Sequence, residues 1–312
     1  MTNRITSGQI DQFTESAARK AVVEVIAAIN QLGSSKNAVQ GITAGHARFA
    51  TEVSATVAAN SVAVVHHSHM PQDFSDEEIQ SSYGYICGYQ SSLKDLARQI
   101  DLIRSQPEYS RINPDRAWKL AQEYDKIGLV DGAEKWFASV NPTFFGPNYD
   151  QNVKVAIEIL SRSVGGRLMN YLGDNLGPEY LRQVASTVDM ESRLSEIQGP
   201  ELWIEMGQFG KLHAGQSIRR AHVLFPSRTN EYGSGIFKAF TWLLTHDTRL
   251  KNFDDLWLYC PGDEYSPDAD GVFEGAPVIG FGDGDIGLYT CWFDGADERY
   301  GSVSAFAPFG PV

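Results

Sequence analysis

Cysteine is scarce in this chain of 312 residues, which has only Cys87, Cys260 and Cys291. An odd, sparse set excludes a disulfide framework as the main support of the fold and fits a reducing compartment. One bridge, Cys260–Cys291, is left open because both residues fall in the C-terminal region. Positive charge is scarce at that end. From Lys251 to Val312 there are 12 acidic residues against 2 basic ones, Lys251 and Arg299, so −10 of the formal net charge of −13 sits in the last fifth of the chain. This excludes a nucleic-acid-binding tail or a polybasic membrane anchor there, since both need cations facing phosphate. The start, MTNRITSGQIDQ, lacks the basic-then-apolar pattern of a secretory signal. Cytoplasmic synthesis is therefore expected, with any export by a non-classical route. Charge of either sign is missing from Val53 to Gln72, VSATVAANSVAVVHHSHMPQ.

What is present is an ordinary globular composition, 42% hydrophobic and 21% charged, on a chain long enough to bury a substantial core. Apolar residues at Ile10, Phe13, Ala17, Ala21, Val25, Ala28, Ile29 and Leu32 recur at steps of three and four, between Ser7 as N-cap and Gly33 as stop. Further helices are expected over about 38–65, 76–104, 114–126, 130–140, 151–172 and 178–197. After Gln198-Gly199-Pro200 the texture changes to short aromatic and β-branched runs between glycines and aspartates: ELWIEM, RRAHVLF, DLWLYC, APVIGFG, IGLYTCWF and SVSAFAPF. These are strand signals, DGADERYG looks like a hairpin connection, and one helix is expected over about 234–244. The expected fold class is α+β: an N-terminal helical bundle over 1–199, then a smaller β-rich, mixed α/β, acidic and aromatic domain over 200–312.

Around Ala117, Leu120, Ala121, Tyr124, Gly128, Ala133 and Phe137 the alternation of small and large residues resembles a tetratricopeptide helix hairpin. No second copy lies 34 residues away, so one antiparallel helix pair is expected rather than a solenoid. In the uncharged stretch, Gly41, Gly45, Ser54 and Ala58 permit close helix contact, while Asn60 and three histidines argue against a permanent membrane span. The stretch reads as a packed internal helix or as one that inserts or assembles later. His66, His67 and His69 precede Asp73, Asp76, Glu77 and Glu78, a candidate pH-sensing or metal-binding group without a specific ligand spacing.

In the acidic region, Asp268 with Asp270 and Asp283 with Asp285 form two DxD loops beside glycine. They are candidate Ca²⁺ ligands or plain turn residues, and no other cofactor is expected. Trp257, Tyr259, Tyr265, Trp292 and Tyr300 are candidates for stacking on a sugar or for filling a core. A nucleophile reading centres on Cys260, with His213, His222 or His246 as base and Asp263 or Glu264 as orienting carboxylate. GFGDGDIG matches neither GxGxxG nor a P-loop, and its aspartates would repel phosphate.

The leading functional expectation is a non-enzymatic binding and assembly protein. Its helical region would oligomerise or enter a membrane and its C-terminal domain would recognise a protein or carbohydrate, a division of labour also found in soluble pore-forming toxins. The alternatives are a hydrolase-type enzyme using Cys260 with a histidine or a carboxylate pair, and an intracellular partner-binding protein.

Overall fold

The structure is a computed structural model that describes residues 71–86, 95–124 and 126–308. The chain divides into two compact units, Met1–Met70 and Pro71–Val312, and the described residues belong to the second. The helices expected over 10–32 and 38–65, and the histidines at 66, 67 and 69, lie outside them.

Among the described residues no helical bundle precedes a β domain. Helices and strands alternate instead: α1 (Leu96–Arg104), α2 (Asp115–Tyr124), β1 (Lys135–Val140), α3 (Tyr149–Ser163), β2 (Leu168–Asn170), β3 (Leu181–Gln183) and α4 (Ala185–Gln198). Then follow β4 (Leu202–Gln208), α5 (Ile218–Leu224), β5 (Glu231–Gly233), α6 (Ile236–Thr245), β6 (Trp257–Tyr259), β7 (Asp263–Tyr265), β8 (Gly275–Gly282), β9 (Asp285–Trp292), β10 (Tyr300–Ser302) and β11 (Ser304–Phe306). The expectation of a bundle through residue 199 is overturned by β1, which pairs with β4 along its whole length, and by β2 and β3, which pair with β9 and β7.

The first sheet runs β1-β4-β11-β5 and is antiparallel throughout. In the second, β8 pairs with β9 on one side and with β6 and β7 on the other; β10 extends β6, β3 extends β7 and β2 extends β9. The two sheets meet at Val303, between β10 and β11. Its N–H donates to Tyr259 and its carbonyl accepts from Ser234, so the chain passes from one sheet to the other without losing either backbone bond. Helix α6, IFKAFTWLLT, packs against α1, α3 and β1, and all ten of its residues are buried. An all-round apolar helix belongs in a core, and this one is its centre.

Several local expectations are corrected. KWFASV, expected within a helix over 130–140, is strand β1. Its residues are buried on both faces, so it carries no alternation to separate it from a buried helix. The tetratricopeptide-like spacing fails for the same reason: its first half is α2, but Phe137 is in β1. RRAHVLF, expected as a strand, lies largely in α5, whose N-cap Ser217 accepts the Arg220 N–H at 3.1 Å. Residues 294–301 do not connect a hairpin, because β10 pairs with β6 in parallel rather than with β9. The hairpin is β8–β9, turned by Asp283 and Gly284, which both have positive φ as a type I′ turn requires. Of the helix expected over 76–104, the described residues show its end as α1, while residues 71–86 instead lie along α5 and the sheets.

That segment is held by consecutive charges. Glu77 pairs with Arg219 and Glu78 with Arg220, the Ser217 hydroxyl donates to Glu77 at 2.6 Å, and the Ile79 N–H donates to the Gly215 carbonyl at 2.9 Å.

Candidate functional site

The nucleophile reading can be followed atom by atom. Cys260 directly follows β6, packs into the main core, is fully buried, and burial with the nearby Asp263 pushes its thiol well above the ordinary value. Among the described residues no histidine hydrogen-bonds this thiol. His222 contacts the Pro261 carbonyl at 2.6 Å, and burial holds its pKa down. His213 is buried against Glu231 at 2.8 Å and Gln216 at 2.9 Å. His246 caps the end of α6, with Nδ1 near the Thr245 hydroxyl and the Trp242 carbonyl. Glu264 pairs with Arg182 at 3.1 Å. The Cys260–Cys291 bridge is overturned. Both cysteines are free, and they face opposite sides of the second sheet: Cys260 packs in the main core, Cys291 beside Tyr259 and Tyr300 on the outer side.

Sequence reasoning missed a buried charged cluster at the other end of α6. Lys238 has no exposed side chain and lies 3.3 Å from Glu191 of α4, 3.0 Å from Glu205 of β4 and 2.5 Å from the Tyr232 hydroxyl of β5, which donates to Glu205. Burial raises the pKa of Glu191, partly offset by Lys238. Close by, Asp263 accepts the Ile236 N–H at 2.6 Å and the Tyr149 hydroxyl at 2.8 Å, and burial pushes its carboxyl up to about 8. The visible signal was the single lysine in IFKAFTWLLT. A cation in an otherwise apolar helix needs a buried counter-charge. Two carboxylates sharing one ammonium, together with the Tyr232 hydroxyl, tie α4 and α6 to the inner strand β4 and the edge strand β5 of the first sheet. With the lysine, Glu205 and Asp263 sealed from solvent, the cluster joins elements and does not present a reactive group.

The aspartate loops serve their turns. Asp270 accepts from the Ser266 hydroxyl at 3.2 Å and the Val272 N–H at 2.9 Å, and Asp283 is the first turn residue of β8–β9. Among the described residues, no three His, Cys, Asp or Glu side chains are grouped to hold a metal ion. Also among these residues, no helix is long and apolar enough to cross a membrane.

The stacking candidates separate into three environments. Tyr265 is buried and stacks with Tyr180 at 6.4 Å. Trp292 stands 54% exposed in a cleft of about 550 Å³ with Phe273, Phe293, Arg219, Glu274 and Asp294. Trp257 and Tyr300 come together on the outer face of the second sheet, centroids 5.4 Å apart and edge to face. Trp257 is also parallel to Tyr289 within 13° at 5.5 Å, and Tyr289 to Tyr171 within 13° at 4.7 Å. Three parallel rings therefore form a row, flanked by Tyr300 and, at 6.3 Å, by Phe253.

Two glycines make this row lie down on the sheet. Gly280 of β8 and Gly287 of β9 are cross-strand partners. A Cβ on Gly280 would occupy the space of the Trp257 indole, and one on Gly287 the space of the Tyr289 ring. Where a side chain would normally stand, each ring covers bare backbone. Tyr171 is 59% exposed at the end of the row. Asp283 acts electrostatically on Tyr289, and Asp297 on Tyr259 and Tyr300, so carboxylates border the aromatic surface. Trp257 and Tyr300 are among the aromatics the sequence offers for stacking; Tyr171 and Tyr289 were missed, although paired glycines opposite an aromatic strand are the signal for such a face.

No family model matches the chain, and no curated protein or solved structure matches it significantly.

Proposed function

We propose that this chain is a non-enzymatic recognition and assembly protein whose outer sheet face binds carbohydrate. The observation that carries this reading is the row Tyr171–Tyr289–Trp257, laid over the Gly280–Gly287 pair. The uncovered end of this stack, at the exposed Tyr171, with its polar border suits a pyranose: a C–H face lies on that ring while hydroxyls donate to carboxylates at the rim. The sealed Cys260 thiol and the absence of a histidine hydrogen-bonded to it favour binding over nucleophilic catalysis. The assembly half of the proposal rests on the uncharged run Val53–Gln72, which suits tight helix contact or insertion.

Recognition is tested by titrating chitohexaose, cellohexaose and mannohexaose while following tryptophan fluorescence. At least one should bind with a sub-millimolar Kd, and Tyr171→Ala should weaken that binding by about tenfold or more, as expected when a desolvated ring contact is removed. No response from any of the three at 5 mM would refute carbohydrate recognition by this face. Assembly is tested separately by liposome dye release at pH 5.5 and 7.5, comparing the wild type with a variant carrying charges at Val57 and Val62. A monomer that releases nothing at either pH would refute insertion.

A further inference from the structure

The outer edge of β9 is only half used. β2 covers Ile286–Leu288, where the Ile286 N–H donates to the Arg167 carbonyl at 3.0 Å and the Tyr171 N–H donates to the Leu288 carbonyl at 3.1 Å. Beyond Leu288 the chain that formed β2 has turned away, while β9 runs on to Trp292, still paired with β8 on its other side. Outward-pointing groups recur every second residue in an antiparallel ladder. Ile286 and Leu288 point outward, so Thr290 and Trp292 do too. The pairing opposite agrees: Thr290 faces Pro277, whose carbonyl is turned to the Cys260 N–H just past β6. The Trp292 carbonyl is taken by the Gly295 N–H at 3.3 Å. This leaves the Thr290 N–H, the Thr290 carbonyl and the Trp292 N–H as a short ladder without a strand opposite it among the described residues.

The side chains around this edge are not those of a blunted one. Free edges are commonly protected by lysine, proline or a bulge, whereas here Thr290 and Trp292 are both exposed. Trp292 shares its cleft with Phe273 and Phe293, and with the exposed carboxylates of Glu274 and Asp294. The cation lining the cleft, Arg219, is already paired with Glu77. Arg182, which covers Phe273 at 3.8 Å, is already paired with Glu264. Glu274 and Asp294 are therefore the surplus charge, on a terminal region with 12 acidic and 2 basic residues.

We propose that the Thr290–Trp292 edge of β9 is a docking site for an extended basic peptide, which adds a strand beside β9 and places a lysine or arginine over Trp292 between Glu274 and Asp294. Main-chain bonds to Thr290 and Trp292 supply the register, and the aromatic cleft with its two carboxylates supplies the preference for a cation. This site is independent of the carbohydrate face. Trp292 and Trp257 belong to different surfaces, so either site could fail without the other.

The test uses the full chain and an acetylated, amidated Lys-Val octapeptide, with the corresponding Glu-Val octapeptide as control, followed by amide hydrogen exchange. Without peptide, the Thr290 and Trp292 amides should exchange faster than those of Val278 and Leu288. With the Lys-Val peptide at 1 mM they should slow by about tenfold or more, and the effect should shrink in 0.5 M salt as the charge contribution is screened. Thr290→Pro removes one outward donor without touching the bonds to β8, and Asp294→Lys reverses a flanking charge; each should abolish the protection of Trp292. Four outcomes overturn the proposal: slow exchange at both amides before any peptide is added, no added protection, equal protection by the Glu-Val peptide, or protection that tracks protein concentration alone, which would make a second copy of this chain the occupant. Retained protection in both variants would overturn it as well, provided their unfolding midpoints match the wild type.

Discussion

The carboxylate of Asp263 accepts the backbone N–H of Ile236 at 2.6 Å, so a residue at the start of β7 caps the first turn of α6. A carboxylate is well placed at a helix N-terminus, yet burial outweighs that benefit and lifts the pKa from 3.8 to about 8. The folded protein therefore keeps a proton that the unfolded chain loses near pH 4. Asp263's contribution to stability is fully present below pH 4, declines as pH rises, and levels off above about 8. The expected slope from this one group is about 1 kcal/mol per pH unit across that window. Glu134 and Glu191, also raised by burial, act with the same sign. Urea unfolding of wild type and Asp263→Asn at half-unit steps from pH 4 to 9 isolates Asp263 by subtraction. A difference that does not change with pH would show that the carboxyl is ionised throughout.

Thiol labelling distinguishes the two faces of the second sheet. Cys260 is fully buried with its thiol pushed well up, whereas Cys291 is only partly covered beside the Tyr259 hydroxyl at 3.8 Å. Native protein treated with iodoacetamide at pH 8 and mapped by peptide mass should carry label at Cys291 and none at Cys260 until denaturant is added. Native labelling of Cys260 would reopen the nucleophile reading.

At the edge of the first sheet a side chain stands in for a strand. Gln99 of α1 donates to the Trp136 carbonyl at 3.0 Å and accepts the Ala138 N–H at 2.9 Å, covering the outer edge of β1. Gln198 of α4 makes the same pair of bonds to Ile204 of β4, at 2.8 and 2.6 Å. Gln99→Leu keeps the volume but leaves both buried backbone groups unpaired, at a cost of about 2–4 kcal/mol. Gln99→Glu should cost more, because its carboxylate would face the Trp136 carbonyl. Chemical unfolding measures both, and a loss below 0.5 kcal/mol for Gln99→Leu would mean that solvent takes over the bonds, by the usual scale for surface substitutions.

These glutamines also show why the sequence was read unevenly. The runs that became β4, β6, β8 and β9 were visible because glycine, proline or aspartate bounded each one, and α6 because its apolar residues are continuous. Strand β1 was hidden by burial on both faces, and β2 and β3 by their length of three residues each. Neither Gln99 nor Gln198 carries a local signal, since what each replaces is a strand that is absent. The aromatic face was half legible: alternation along β6 and β9 is local, whereas the pairing of Gly280 with Gly287 depends on register. The Asp-Gly at 283–284 offers both a carboxylate ligand and a turn in the sequence, and its positive-φ backbone bears out the turn.

The cluster around Lys238 makes the sharpest energetic prediction. Its ammonium bridges Glu191 and Glu205, and it also lies over the Tyr232 ring at 4.5 Å. Lys238→Met preserves much of the volume but leaves two carboxylates in the core without their cation, so a loss of about 3–5 kcal/mol is expected, in line with breaking a buried pair from one side. Replacing the carboxylates as well should undo much of that damage: Lys238→Met with Glu191→Gln and Glu205→Gln removes every charge from the site, and the triple variant should be more stable than Lys238→Met alone. Equal stability of the single and triple variants would mean that the carboxylates take up protons once the lysine is gone. A pH titration of Lys238→Met separates the two outcomes. Carboxylates that stay ionised at neutral pH leave stability flat there and let it recover only as pH falls through a folded-state value raised by burial, as at Glu191, toward about 4.5, the free-carboxylate range. Carboxyls already protonated at neutral pH, like Asp263, instead make stability climb with falling pH from neutrality downward, levelling off near the unfolded-chain value of about 4.5.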